Sequence, residues 1–402
     1  MEAAPSMALH RPTTPEAVQE VVLAALEAGT PLAVQGAGTK ADFGRPMGAA
    51  ATLALDGLSG VVDYQPGELI LVVRPGTPLA EVERTVAEAG QMLAFEPPAW
   101  HERATIGGVV ACNLAGPRRF KAGAARDHLL GFTAVSGRGE LIHGGGRVVK
   151  NVTGYDLSKL MCGSFGTLAV MTELILKALP APPSERTVVV TGQREADALR
   201  TMIDAARQPH DVSGLAHLTA GCVLPPEVAG AVGSVPSVTL LRLEGPPASV
   251  RVRAEQLIGA LGSQTLFVED DESRALWRRV RELEPIPAAP RQGLWRLSLP
   301  ATRAAHAGVA LRRLHAELAL FYDWGGAALW AQLPAEVDGA AVHAVAVEGG
   351  GHAELVRRDP LPGADTLCFT PLPPVQAQLN RNLKDAFDPL GVLNPGRLVP
   401  DW

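Results

Sequence analysis

The stretch at 147–177, RVVKNVTGYDLSKLMCGSFGTLAVMTELILK, most narrows what this chain can fold into, because it joins polar, glycine-punctuated turns to a strongly apolar strand. Its pattern predicts an entry at Lys150 and Asn151, a turn at Thr153, Gly154 and Tyr155, and a short helix from Asp156 to about Met161. A strand over 167–177 then follows Gly163, Ser164, Phe165 and Gly166. Gly163 and Gly166 allow backbone to approach another group closely, and Asp156 is suited to cap the short helix. The same features also serve a tight helix-to-strand turn in any α/β domain, so the stretch alone leaves both readings open.

Two earlier segments repeat the device. Thr14, Pro15 and Glu16 mark a helix start, Val18, Val21, Val22, Ala25 and Leu26 share one face, and Gly29 stops the helix. A short buried strand at 31–34 runs directly into Gln35-Gly36-Ala37-Gly38-Thr39-Lys40, a glycine loop suited to cradle an anion. GAGTKA satisfies G-x-G-x-x-[GA] literally, but Phe43-Gly44-Arg45-Pro46 stands where a Rossmann helix would begin, and a Walker A loop needs four residues between its glycines. Strands at 52–55, 61–64 and 69–73, a helix at 79–89 and a strand at 91–95 follow. At 105–113, Thr105-Ile106-Gly107-Gly108 leads into a small-residue helix ending near Asn113, either a wall for a cofactor or a close helix–helix contact. Asn113, Gly116, Arg118 and Arg119 are candidate polar contacts there, although either arginine also reads as a surface charge. Strands at 129–135 and 140–143 form a hairpin through Ser136-Gly137-Arg138-Gly139, and His143 on it reads as structural. Three glycine loops within 31–177 are what an extended diphosphate cofactor requires.

Composition sets the outer limits. The 402 residues carry a formal net charge of −6 and are 47% hydrophobic, which suits two or three packed cores and does not suggest a nucleic-acid partner. No apolar run has the length of a membrane span, and MEAAPSMALHRP does not pair a basic start with an apolar core, so a cytoplasmic location is expected, with membrane contact only through partners. Cys112, Cys162, Cys222 and Cys368 are widely separated, without the spacing of an iron–sulfur or zinc site.

The constellation resembles the FAD-binding domain of the vanillyl-alcohol-oxidase/PCMH type. It rests on VQGAGTK at 34–40, ATIGGVVACN at 104–113, KNVTGYDLSKLMCGSFGTLAVMTEL at 150–174 and FDPLGVLNPGRL at 387–398. The resemblance implies that Gly36, Gly38, Thr39 and Lys40 wrap the diphosphate of FAD, and that Thr105, Ile106, Gly107, Gly108 and Asn113 pass beside diphosphate and flavin. Gly163, Gly166, Thr167 and Val170 then bind the adenosine side, with Asn394 near the flavin ring or serving as a turn residue before Pro395. Within the family the chain is similar to the E subunits of bacterial glycolate oxidases. That likeness implies a FAD-binding subunit of a complex that oxidises glycolate to glyoxylate, with a metal-motif-bearing FAD catalytic subunit and an iron–sulfur subunit as partners. A stand-alone FAD-dependent D-2-hydroxy-acid dehydrogenase and a scaffold with structural FAD are the alternatives. Catalytic relatives carry an H-x-G-D-G-N-x-H motif where this chain has DWGGAALW at 323–330, so no metal is expected. His101 lies in a proline-flanked segment unlike the usual linkage sites, so the FAD is expected to be noncovalent.

The expected fold is α+β: a PCMH-type domain of two α/β subdomains at 1–180, an antiparallel-sheet cap with helices on one face at 184–373, and a helix and tail at 374–402 that return to the first domain. LPAPPS at 179–184 breaks periodicity and marks the boundary. In the cap, strands are expected at 187–191, 238–243, 265–268 and 294–299, helices at 196–207, 248–259 and 273–283, and Trp277 and Trp295 in the core or at an interface. The arginines at 278–281 read as a solvated face. Asp323 and Trp324, at a strand end, are the only candidate catalytic residues, and weak ones.

Overall fold

The computed structural model describes residues 8–147, 154–233, 235–261, 265–287, 289–359 and 366–402. Lys150, Asn151 and Thr153, the entry expected before the third glycine loop, lie outside the described residues. The chain forms two compact units: 1–114 with 124–181 and 371–402, and 115–123 with 182–370. Among the described residues no helix is long and apolar enough to cross a membrane.

The first unit holds two subdomains. One is a three-stranded parallel sheet of β1 (Ala8–His10), β3 (Ala51–Ala54) and β2 (Leu32–Gln35), with α1 (Pro15–Ala28) beside it. The start of α1 is set locally: the Thr14 hydroxyl accepts from Ala17 N at 3.2 Å, and Gly29 closes the helix at φ 61°. The other subdomain is a five-stranded antiparallel sheet in the order β4 (Val61–Gln65), β5 (Ile70–Val73), β9 (Ala169–Lys177), β7 (Leu129–Ser136), β8 (Leu141–Gly145). The expected strand at 91–95 pairs only over β6 (Gln91–Met92), with β10 (Leu179–Pro180), because Leu93, Ala94 and Phe95 turn inward instead. Val18, Val22 and Ala25 of α1 join Leu32, Leu53, Val135, Val170 and Leu393 in one core cluster, so one face of α1 packs against residues of both sheets. Helices α2 (Leu79–Glu88), α3 (Ile106–Ala111), α5 (Ala125–His128), α6 (Leu157–Met161) and α13 (Pro374–Phe387) complete this unit.

The second unit is an eight-stranded antiparallel sheet, ordered β14 (Thr265–Glu269), β11 (Ser184–Thr191), β13 (Val238–Gly245), β12 (Val212–Leu218), β16 (Leu320–Asp323), β17 (Ala328–Pro334), β15 (Gln292–Ser298), β18 (His352–Arg358). Leu199 and Met202 of α7 (Glu195–Arg207), Leu257 of α9 (Pro247–Leu261), Leu311 of α11 (Ala304–Leu314) and Val342 of α12 (Gly339–Glu348) pack on one face with Val188, Leu241, Leu297 and Leu329. Strand alternation sends Thr187 and Arg242 to the other face, where α10 (Asp270–Arg281) lies: Trp277 Nε1 donates to Thr187 Oγ1 at 2.7 Å, and the Arg242 guanidinium stacks 4.5 Å from the Trp277 ring centre. The short α8 (Pro226–Val232) packs on α10.

Residues 115–123, read in the sequence with the first domain, belong to the second unit, and α4 (Arg119–Ala122) lies within them. Side-chain pairing explains the placement. Arg118 donates to Glu244 at 2.7 Å, the Arg119 guanidinium sits 4.4 Å from the Trp324 ring centre, and Phe120 packs on the helix-covered core.

Candidate functional site

An open cleft of about 830 Å³, open solvent at its mouth included, runs through the first unit. Its lining combines glycine loops with apolar side chains. Gly36, Gly38, Thr39 and Lys40 form one wall, Thr105, Gly107 and Gly108 a second, and Phe165, Gly166 and Val170 a third, with Asn394 and Arg397 at the meeting point.

Close approach fixes where glycine is required. A Cβ on Gly36 would lie 2.2 Å from Thr105 Oγ1, and one on Gly107 would lie 2.7 Å from the Pro75 carbonyl oxygen. No side chain fits at either position, so the first loop lies directly on the start of α3. Thr105 caps that helix, its hydroxyl accepting from Gly108 N at 3.3 Å. The third loop is tied to the end of the same helix: Gly163 N donates to Val110 O at 3.1 Å and Phe165 N to Ala111 O at 2.9 Å. Asp156 caps α6 as the sequence suggests, its carboxylate accepting from Lys159 N at 3.2 Å.

The C-terminal segment locks these loops. Asn394 Oδ1 accepts from Val34 N at 2.6 Å while its Nδ2 donates to Phe165 O at 2.6 Å, bridging the first and third loops. Arg397 donates to the carbonyls of Lys40 at 2.7 Å and Ala41 at 2.9 Å. Lys384, 2% exposed, donates to Asp388 at 2.6 Å, to Thr167 O at 2.8 Å and to Leu393 O at 3.1 Å. Burial pulls the Lys384 ammonium below the ordinary lysine range, opposed by the adjacent Asp388 carboxylate. Asp388 in turn accepts from Val392 N at 3.0 Å and Leu393 N at 2.8 Å. Asn113, Phe165 and Asn394 all take left-handed backbone, at φ 49°, 54° and 43°, which neighbours must hold in place.

Ten of the residues expected from the sequence line the cleft: Gly36, Gly38, Thr39, Lys40, Thr105, Gly107, Gly108, Gly166, Val170 and Asn394. Four stand behind it. Ile106 is fully buried, Gly163 bonds α3, Thr167 bonds Ser164 and receives Lys384, and the Asn113 oxygen accepts from Arg126 N at 3.1 Å. The Asn394 amide, expected near a flavin ring, is engaged by Val34 and Phe165. Gly116, Arg118 and Arg119 fall in the second unit rather than at this cleft. So do Asp323, whose carboxylate accepts from Trp324 N at 2.7 Å, and Trp324, whose Nε1 donates to Gly116 O at 3.0 Å. Sequence reasoning missed Gln35, Cys112 and Arg397 as lining residues and Lys384 as their support. Arg397 lies within the LNPGRL motif and Gln35 opens the first loop, so both were within reach of that reading; a lysine inside a helix carries no such signal.

Residues 7–145 match the family described as FAD binding domain. Glycolate oxidase subunit GlcE of Escherichia coli strain K12 is 36% identical over 390 residues, covering 96% of this chain and 97% of that protein. Glycolate oxidase subunit GlcD of Bacillus subtilis strain 168 is 28% identical over 255 residues, covering 62% of this chain and 54% of that one. Among solved structures, 4-ethylphenol oxidase from Gulosibacter chungangensis shares the fold with a TM-score of 0.70 at 16% identity, covering 97% of this chain and 88% of that chain. With the three-loop cleft and this match along its length, the chain belongs to the family of FAD-binding oxidoreductases that includes the glycolate oxidase subunit GlcE.

Proposed function

We propose that this chain is the FAD-binding subunit of a glycolate oxidase complex, in which glycolate is oxidised to glyoxylate and electrons pass through flavin to an iron–sulfur partner. The observation that carries the reading is the glycine-loop cleft, where Gly36 and Gly107 leave no room for a Cβ and the loops around them converge on Asn394. Those features fit FAD. The close loops offer backbone amides to a diphosphate, Lys40 adds positive charge beside them, and apolar Val34, Leu55, Pro75 and Val170 suit the flat rings.

In this reading Gly36, Gly38, Thr39 and Lys40 hold the diphosphate, while Thr105, Gly107 and Gly108 run beside diphosphate and flavin. Gly166 and Val170 take the adenosine side. Asn113, Gly163 and Thr167 support those contacts from behind through the bonds described above, Ile106 by its burial, while Asn394 bridges the loops from the cleft itself. The FAD is held noncovalently and supplies the two-electron chemistry, while the chain binds it, orients it and shields it from water. Residues 184–373 act on the substrate side. The metal-motif-bearing FAD subunit carries most of the turnover, and an iron–sulfur subunit takes the electrons, because the four cysteines here are free and dispersed. The complex works in the cytoplasm, with any contact at the inner face of the membrane made by partners.

Co-expression with both partners and purification through this chain tests the whole reading. The expected product is a three-subunit complex whose yellow flavin spectrum bleaches anaerobically on adding glycolate, with this chain's FAD released by acid denaturation. A colourless chain sinks the reading; an assembled complex that glycolate cannot bleach removes its substrate.

A further inference from the structure

Between β16 and β17 the backbone passes through three consecutive left-handed residues, Trp324, Gly325 and Gly326, at φ 53°, 67° and 97°. For a buried tryptophan that conformation is strained, and such strain gathers at functional sites. What the strain positions is an indole set against two cations: the Arg119 guanidinium lies 4.4 Å from the Trp324 ring centre and that of Arg296 5.7 Å away.

Arg296 on β15 stands directly across from Trp330 on β17. Both project from the face opposite Trp295, Leu297, Leu329 and Ala331, which belong to the helix-covered core. The Arg296 guanidinium is 5.6 Å from the Trp330 ring centre, and one of its terminal nitrogens pairs with Glu354, its neighbour across the ladder on β18. Two donors remain on these two cross-strand neighbours. Arg296 Nε and Trp330 Nε1 are buried without an acceptor, in residues only 8% and 3% exposed. Each such N–H is unfavourable if it stays dry and unmatched. Neither donor can accept, so a ligand that relieves both presents acceptor oxygens, and negative charge suits the guanidinium.

We propose that Arg296 and Trp330 form a binding site for the carboxylate of a small organic acid, with Trp324 as its wall and Arg119 adding positive charge. One carboxylate oxygen accepts from Arg296 Nε and the other from Trp330 Nε1. That the acid is a 2-hydroxy acid rests on the function proposed above; the carboxylate site itself rests on the two donors.

The test titrates the full FAD-loaded chain, as part of its complex where it purifies as one, with oxalate and with glycolate by calorimetry. Wild-type protein is expected to bind oxalate. Trp330→Phe keeps the ring and removes the donor, and should weaken oxalate roughly 5-fold, whereas Arg296→Met should weaken it roughly 30-fold, both with unchanged flavin content. No oxalate binding by wild type overturns the site, as does wild-type affinity in Trp330→Phe. If Arg296→Met does not fold, Trp330→Phe decides alone. Oxalate affinity that falls in the variants while glycolate fails to bleach wild-type flavin upholds the site and defeats the glycolate reading. Unchanged oxalate affinity with normal bleaching does the reverse.

Discussion

The cleft of the first unit and the polar face of the second unit are built from opposite materials. Around the cleft the chemistry belongs to the main chain: glycines admit close approach, and the side chains of Asn394, Arg397 and Lys384 act by holding carbonyls and amides of the loops. In the second unit the chemistry belongs to side chains that meet only across the sheet, such as Arg118 with Glu244 and Arg296 with Glu354 and Trp330. Burial beside Arg242 and Arg118 leaves the Glu244 carboxyl far below the usual carboxylate range, the two guanidiniums outweighing the cost of desolvation. A main-chain site tolerates few changes at its glycines but many elsewhere. A side-chain site is lost one partner at a time.

That contrast can be broken most directly at Gly36. Gly36→Val places carbon where Thr105 already stands, so FAD affinity should fall roughly 1000-fold or more, about 4 kcal/mol, in a fluorescence titration. Normal flavin content in this variant would show that the cleft is not a main-chain site. Lys384→Met strands the buried Asp388 carboxylate and should cost about 4 kcal/mol of stability with weaker flavin retention, read by urea unfolding with and without FAD. Lys384→Met paired with Asp388→Leu should recover part of that loss; equal damage from both variants would mean that no such pair operates.

The second unit supplies the pH test. His217 is fully buried, its Nδ1 meets Thr239 Oγ1 at 2.9 Å, and burial pulls its pKa from 6.5 down to about 4. The unfolded chain therefore takes up a proton that the folded one refuses, so stability is complete above pH 6.5 and falls as pH drops toward 4, by on the order of 3 kcal/mol. His217→Gln should flatten that part of the curve relative to wild type; parallel curves through the same window contradict the assignment. The smallest effect is expected from a local element. Thr14→Ala removes the α1 cap and should cost about 1 kcal/mol with flavin content untouched. A loss of flavin in that variant would tie the cleft to α1 more tightly than the local cap implies.

Legibility followed the same division. The start of α1 at Thr14 and Pro15, the cap at Asp156 and the three glycine loops could all be read, because each depends on residues within a few positions of one another. In the second unit, β12, β16, β17, β18, α8, α11 and α12 were not placed from the sequence. Short apolar runs such as 212–218 are buried on both faces and show no alternation that separates strand from helix. Asp323 and Trp324 were noticed as a strand end, yet the neighbours that give Trp324 its setting, Arg119 and Arg296, stand 205 and 28 positions away.

By itself the sequence determined that this chain must bring backbone close to an extended ligand, since glycine at fixed spacing is a local and irreversible statement about where side chains are absent. Tertiary structure alone decided that residues 115–123 pack with the second unit, that Lys384 serves the third loop from more than two hundred residues away, and that Arg296 faces Trp330. The reason is that a charged or aromatic side chain has a meaning only once its partner is known. Strand order and chain return choose that partner, and spacing along the chain does not encode either.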